Sequence, residues 1–97
     1  MRQKDCPKQL LIGDDIWTIR FCRRVPGEAE KVLGLCSPDD LTIWLKMGQS
    51  SEERLRTLIH EVCHAVCFSY GIKECHRTIY RLEMPILRLF RDNGLSF

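Results

Sequence analysis

The sequence lacks the long apolar runs that a membrane protein needs. No run approaches the roughly 18 apolar residues of a membrane-spanning helix. The first fifteen residues, MRQKDCPKQLLIGDD, also never build an apolar stretch of about 7 to 15 residues, as a secretory signal would. We therefore expect no membrane partner and a reducing, cytoplasmic location.

Net charge, cysteine content and length restrict the class of protein further. A net charge of +2 neither requires nor excludes a nucleic-acid partner. Six cysteines would suggest disulfides in a secreted domain, but in a reducing compartment they are better interpreted as small buried hydrophobic residues or metal ligands. The 97 residues contain no repeat, linker or low-complexity segment. They predict a single domain over 1–97, with a loosely ordered tail at 1–8.

The first half of the chain has the two-residue periodicity of strands. Trp17, Ile19 and Phe21 share one face of a segment whose other residues face away, as in a sheet with one buried side. Turn residues such as Gly13-Asp14 and Pro26-Gly27 separate the segments. We predict an antiparallel meander of about four strands, at Gln9 to Ile12, Ile16 to Cys22, Lys31 to Cys36 and Leu41 to Met47.

After Gly48 the periodicity becomes helical. Ser50 and Glu53 have the spacing of a capping box, and Gly71 is suited to a left-handed helix stop. The apolar stripe between them consists of Leu55, Leu58, Ile59, Val62 and Val66. A second helix is predicted over Arg77 to Asp92, either kinked at Pro85 or beginning near Met84. The fold class is thus α+β, with a strand meander followed by two packed helices.

The first predicted helix contains the motif His60-Glu61-Val62-Cys63-His64. Residues four apart on a helix differ by only about 40° in direction, so both imidazoles can bind one zinc ion. Glu61 is rotated about 100° from His60, beside the metal but off the ligand axis. This position is suited to a general base that acts on a zinc-activated water.

A catalytic zinc site needs a third protein ligand and one open position. Glu83 is the first candidate, because it lies at the border of the second helix's apolar face, where an unpaired carboxylate is costly. His76 is the rival, and Cys67 is held in reserve. A closed, structural site is the alternative, with ligands drawn from Cys63, His64, Cys67, Cys75 and His76.

The order of these motifs resembles the small zinc metallopeptidases of the gluzincin type. The resemblance rests on a strand ending LTIWLKMG, a helix with TLIHEVCHAV, a YG break and a second helix with a carboxylate. It is to the minimal zincin-like domains of the ImmA/IrrE-like and SprT-like families and their short phage-encoded relatives. The resemblance implies a zinc peptidase in which His60, His64 and Glu83 bind zinc and Glu61 is the base.

The same resemblance implies a substrate track. In such enzymes an edge strand, here Leu41 to Met47, pairs with an extended peptide, so Thr42, Trp44 and Lys46 are the candidate substrate-binding residues. The third histidine of metzincins is absent, because position 70 is Tyr. No oxyanion donor is marked by a motif, and the candidates are Tyr70, Tyr80 and His76.

Two other functions remain as alternatives to a peptidase. The first is a non-catalytic, zinc-stabilised protein-interaction module. The second is a DNA-binding helix-turn-helix protein, in which a basic stripe on the second helix would contact phosphates, with Arg77, Arg81, Arg88 and Arg91 as its members. The DNA-binding hypothesis leaves the HEVCH motif unexplained, so a peptide or protein substrate is the preferred partner over nucleic acid.

Overall fold

The first half of the chain forms one four-stranded sheet. The structure is a computed structural model that describes residues 6–95. Its strands are β1 (Gln9–Ile12), β2 (Asp15–Cys22), β3 (Gly34–Ser37) and β4 (Thr42–Lys46), with a short 3₁₀ helix at Pro38–Asp40. β1 has the predicted bounds, whereas β3 begins later than predicted, at Gly34 instead of Lys31.

Two helices follow the sheet, α1 (Ser51–Ser69) and α2 (His76–Asp92). The capping box at Ser50 and Glu53 is present with both of its hydrogen bonds. Gly71, at φ 64°, ends α1 in a left-handed turn, in which the N–H of Ile72 reaches back to the carbonyl of Cys67 at 2.8 Å. α2 continues through Pro85. The prediction of an α+β fold with four strands and then two helices is confirmed.

The strand order is β1-β2-β4-β3, so the prediction of an antiparallel meander is wrong. β4 pairs parallel with β2 on one side and antiparallel with β3 on the other. The segment 23–33 connects β2 to β3, which lies at the edge of the sheet and leaves a gap beside β2. β4 then fills this gap between β2 and β3. Ile43 and Leu45 of β4 are fully buried, which suits an inner strand.

The core lies between one face of the sheet and α1. Its largest side chain, Trp17, is fully buried, as the periodicity of β2 predicted. The indole Nε1 of Trp17 donates to Oγ of Ser69 at 2.8 Å, which satisfies its polar group and ties β2 to the end of α1. Leu58 and Ala65 supply the buried face of α1.

Of the predicted N-terminal tail at 1–8, residues 1–5 lie outside the described residues, and residues 6–8 are described. Cys6 is buried in the core cluster, and the carbonyl of Lys8 accepts from the N–H of Ile19 at 2.8 Å. Residues 6–8 are therefore packed against the sheet. Within residues 6–95, no helix is long and apolar enough to cross a membrane.

Gly34 sets the spacing between the edge strand β3 and α1. A Cβ atom at this position would lie 2.6 Å from Cγ2 of Thr57 and 3.3 Å from Cγ of Glu61. Thr57 is a buried, β-branched side chain that cannot turn aside easily. A side chain at residue 34 would therefore push β3 away from α1.

We expect Gly34→Ala to lower the free energy of unfolding by about 1–3 kcal/mol, because it overpacks this contact. Thr57→Ser removes Cγ2 but keeps the hydroxyl that bonds Gln49 and the carbonyl of Glu53. The double variant should therefore be more stable than the sum of the single changes implies. Urea unfolding of all four proteins measures this coupling, and strict additivity would contradict it.

Candidate metal centre

His60 and His64 lie on one face of α1, one turn apart, because the helix brings residues four apart into line. Their Nε2 atoms are 3.2 Å from each other, and their ring centroids are 4.9 Å apart. The motif thus directs two imidazole nitrogens to one point, as the sequence predicted.

A carboxylate lies at Nδ1 of each ring. Glu83 of α2 contacts Nδ1 of His60, and Glu74, in the connection between the helices, lies 2.5 Å from Nδ1 of His64. An ionised carboxylate only accepts hydrogen bonds, so each Nδ1 carries a hydrogen, and in the neutral form of such a ring Nε2 keeps its lone pair. These tautomers, assigned from the hydrogen bonds, direct two lone pairs at each other.

The space between these nitrogens fits a zinc ion. Two facing lone pairs 3.2 Å apart repel each other unless a cation lies between them. In a tetrahedral site with Zn–N bonds of about 2.0–2.1 Å, two ligand nitrogens are about 3.4 Å apart. The observed separation is close to that value, and imidazole nitrogen is a common zinc ligand.

His76, the first residue of α2, completes a group of three histidines. One ligand nitrogen from each of His60, His64 and His76 lies within 4.8 Å of the others. The ring of His76 is 4.7 Å from that of His64, centroid to centroid, and its side chain is exposed. His76, the rival ligand from the sequence, is therefore the third candidate ligand here.

Glu83, predicted as the third ligand, does not join this group, and its assignment as a ligand stays a prediction. Its Oε1 contacts Nδ1 of His60, not the nitrogen that faces the other rings, and its Oε2 lies 3.7 Å from Nε of Arg56. Only 5% of Glu83 is exposed, and the ring hydrogen and the guanidinium compensate its buried charge. Its place is behind His60, where it fixes the ring.

Glu61 lies beside the histidines and is buried, with 8% of its surface exposed. Burial, the largest cause, raises its pKa to about 7. The charges of Glu83 and Glu74 add to this rise in pKa, whereas His64 and the backbone N–H of Cys36 oppose it. The carboxylate is thus held next to the histidines by a hydrogen bond from β3.

A cleft runs along the outer edge of β3 and contains this group. It has two adjoining hollows of about 420 and 570 Å³, and Gly34, His60, Glu61 and Tyr80 line both. His60 therefore lies between the two hollows, whereas His64 and His76 line only the larger one.

The backbone of β3 presents polar groups to the cleft. The carbonyl of Leu33 accepts from the N–H of Lys46 at 2.9 Å, so residue 33 faces β4. Because alternate residues of a strand face opposite ways in the ladder, the backbone groups of Gly34 and Cys36 face outward. The N–H of Cys36 is the one that bonds Glu61.

The predicted substrate residues of β4 are not at a free edge, which corrects that prediction. β4 is hydrogen-bonded to strands on both sides. Thr42 is buried and donates to the carbonyl of Asp40 at 3.1 Å, while Trp44 and Lys46 are half-buried. Lys46 Nζ contacts the carbonyl of Glu30. The edge beside the histidines belongs to β3 instead.

The two candidate tyrosines have different surroundings. Tyr80 lies in the site, with its ring centroid 5.1 Å from that of His60 and 6.2 Å from that of His76. Tyr70 caps the far end of α1, is 61% exposed and lies beside Gly13. Tyr80 can contribute a hydroxyl to the site, and Tyr70 cannot.

The cysteines do not form the alternative closed site among the described residues. Cys67, the reserve ligand, is half-buried on α1, and Cys75 is exposed at the start of α2. Burial raises the pKa of the Cys63 thiol, with a smaller contribution from Cys67. None of the three belongs to the histidine group.

Sequence reasoning missed Glu74 and the position of β3 at the sheet edge beside the histidines. Glu74 lies in the short connection before α2, two residues from His76, and no pattern marks it. Its contact depends on the path of that connection. The glycine at position 34 was the available signal for β3, since a glycine in a strand often marks a close approach.

Comparison of the chain with protein-family models, with curated proteins and with solved structures found no match. The function must therefore be argued from the site itself.

The protein should bind one equivalent of zinc, and His76→Ala should weaken binding far more than Glu83→Gln. A glutamine oxygen can still accept from Nδ1 of His60, so we expect a loss of affinity of about tenfold for Glu83→Gln. Competition with a chromophoric chelator measures both affinities, and X-ray absorption reports the ligand atoms. Tight zinc in His76→Ala, together with loss of zinc in Glu83→Gln, would restore Glu83 as the ligand.

Proposed function

We propose that the protein is a zinc-dependent peptidase. The observation that carries the proposal is the pair of Nε2 atoms, 3.2 Å apart, whose rings are each fixed by a carboxylate at Nδ1. Carboxylates in this position orient the histidine ligands of metal sites and increase their basicity. The pair is thus arranged to hold a cation before one arrives.

Three imidazoles would hold the metal, those of His60, His64 and His76. A zinc ion with three protein ligands keeps an open position, and it supplies Lewis acidity that activates water near neutral pH. The cleft beside the histidines supports this use, because a substrate could reach the open position.

Glu61 would act as the general base. Its carboxylate lies beside the histidines without being one of their group, and the N–H of Cys36 orients it. It would accept a proton from the attacking water and pass that proton to the leaving amine nitrogen. A carboxylate whose pKa is raised toward neutrality is suited to both transfers.

The edge of β3 would bind the peptide. The N–H of Cys36 is already bonded to Glu61, so the N–H and carbonyl of Gly34 and the carbonyl of Cys36 are the groups that can pair with an extended chain, in the β-augmentation mode. Tyr80 lies against the rings of His60 and His76. Its hydroxyl would donate a hydrogen bond to the carbonyl oxygen of the scissile bond as negative charge develops on that oxygen.

The two alternative functions, a non-catalytic zinc module and a DNA-binding protein, account for fewer features of the site. A non-catalytic zinc module would need neither an open cleft nor a buried glutamate beside the ligands, and the structure has both. Of the four arginines that a helix-turn-helix protein would present to phosphates, two are engaged in ion pairs, Arg88 with Asp92 and Arg91 with Glu52. The DNA-binding alternative leaves the paired imidazoles unexplained, and the non-catalytic module leaves the cleft and Glu61 unexplained.

We expect Glu61→Gln to keep zinc and fold but to lower peptide hydrolysis by at least about 100-fold, because it removes the base and not a ligand. The glutamine oxygen can still accept from the N–H of Cys36. Zinc content, circular dichroism and mass spectrometry of digested casein measure the three properties.

Glu52→Gln is the matched control, since it makes the same charge change on an exposed residue of α1. It should hydrolyse casein like the parent protein. Loss of zinc from Glu61→Gln would show that Glu61 is a ligand. A zinc-loaded parent protein without any hydrolysis would favour the non-catalytic module.

A further inference from the structure

The two hollows of the cleft differ in charge. The hollow that contains His76 is lined by Glu28, Glu61 and Glu74, and by no lysine or arginine within residues 6–95. The other hollow has an arginine, Arg56, beside Glu83. Of the two hollows, only the His76 hollow therefore has acidic side chains without a lysine or arginine.

Glu28 is the carboxylate of this hollow that the site does not otherwise use. Glu61 accepts from the N–H of Cys36, and Glu74 holds His64. The Glu28 side chain forms no ion pair with any described residue, although Glu28 is half-buried. A half-buried carboxylate that forms no ion pair favours the approach of a cation.

The backbone around Glu28 is fixed, which keeps the residue at the hollow. Its N–H donates to the carbonyl of Val25 at 3.1 Å, and its carbonyl accepts from Nε of Arg24 at 2.9 Å. Val25 is fully buried and anchors this turn to the body of the protein. The position of Glu28 relative to β3 is thus set by the fold.

We propose that Glu28 makes the cleft selective for peptides with a lysine or arginine side chain near the bond to be cleaved. The inference rests on the proposed peptidase function, because it takes the edge of β3 as the peptide track. A peptide paired with Gly34 and Cys36 lies along the hollow that Glu28 lines. Its cationic side chain would reach Glu28, and the low-dielectric walls of a cleft strengthen that attraction.

The test uses twelve-residue fluorescent peptides of neutral sequence, in which one lysine is moved along the chain or replaced by the uncharged norleucine. Binding to zinc-loaded Glu61→Gln protein is measured by fluorescence anisotropy, and cleavage by the parent protein is measured by mass spectrometry. We expect the best lysine peptide to bind about fivefold or more tightly than its norleucine counterpart.

Introducing Glu28→Gln should abolish this preference, and Glu28→Lys should reverse it in favour of a glutamate peptide. Glu30→Gln is the matched control, because it makes the same charge change in the same segment at an exposed residue outside the cleft. It should leave the preference unchanged. Zinc content and circular dichroism confirm that each variant is folded.

Equal effects of Glu28→Gln and Glu30→Gln, equal binding of lysine and norleucine peptides, or no peptide binding at all would overturn the inference. Cleavage without a preference for lysine would retain the peptidase and reject the role of Glu28. Conversely, Glu28-dependent binding by a zinc-loaded protein that cleaves nothing would support the role of Glu28 and reject the peptidase.

Discussion

Two imidazole rings on α1 face each other through nitrogens 3.2 Å apart, and a carboxylate holds each ring from its other nitrogen. Much of the second half of the chain is arranged to maintain this pair. Glu83 can be buried on α2 because His60 and Arg56 compensate its charge. Glu74 fixes the connection between the helices through His64. The packing of α2 on α1 and the geometry of the histidines therefore depend on each other.

The features that sequence predicted are those set by local interactions. The capping box at Ser50, the glycine stop at Gly71 and the common face of His60 and His64 each depend on residues within about one helical turn. The burial of Trp17 follows from the two-residue period of a strand. Such features need no knowledge of how distant segments meet.

The features that sequence did not predict depend on distant segments. The alternation in β4 is the same for an edge strand and for an inner strand with one buried face, so it could not place β4 between β2 and β3. The sequence indicated only that Glu83 lies at an apolar border, where an unpaired carboxylate is costly. Whether its partner is a metal or the Nδ1 hydrogen of His60 depends on how α2 lies on α1, which no local pattern specifies.

The position of the three histidines also affects the stability of individual parts of the fold. α2 packs on α1 and makes little contact with the sheet, and its buried residues are Ile79, Glu83 and Leu87. A metal ion held by His64 and His76 would join the helices by coordinate bonds across their short connection, a constraint similar to that of a disulfide. Removal of the metal by an added chelator would then lower the free energy of opening for α2 more than for the sheet. Helix α2 would become the first unit to exchange its amide hydrogens.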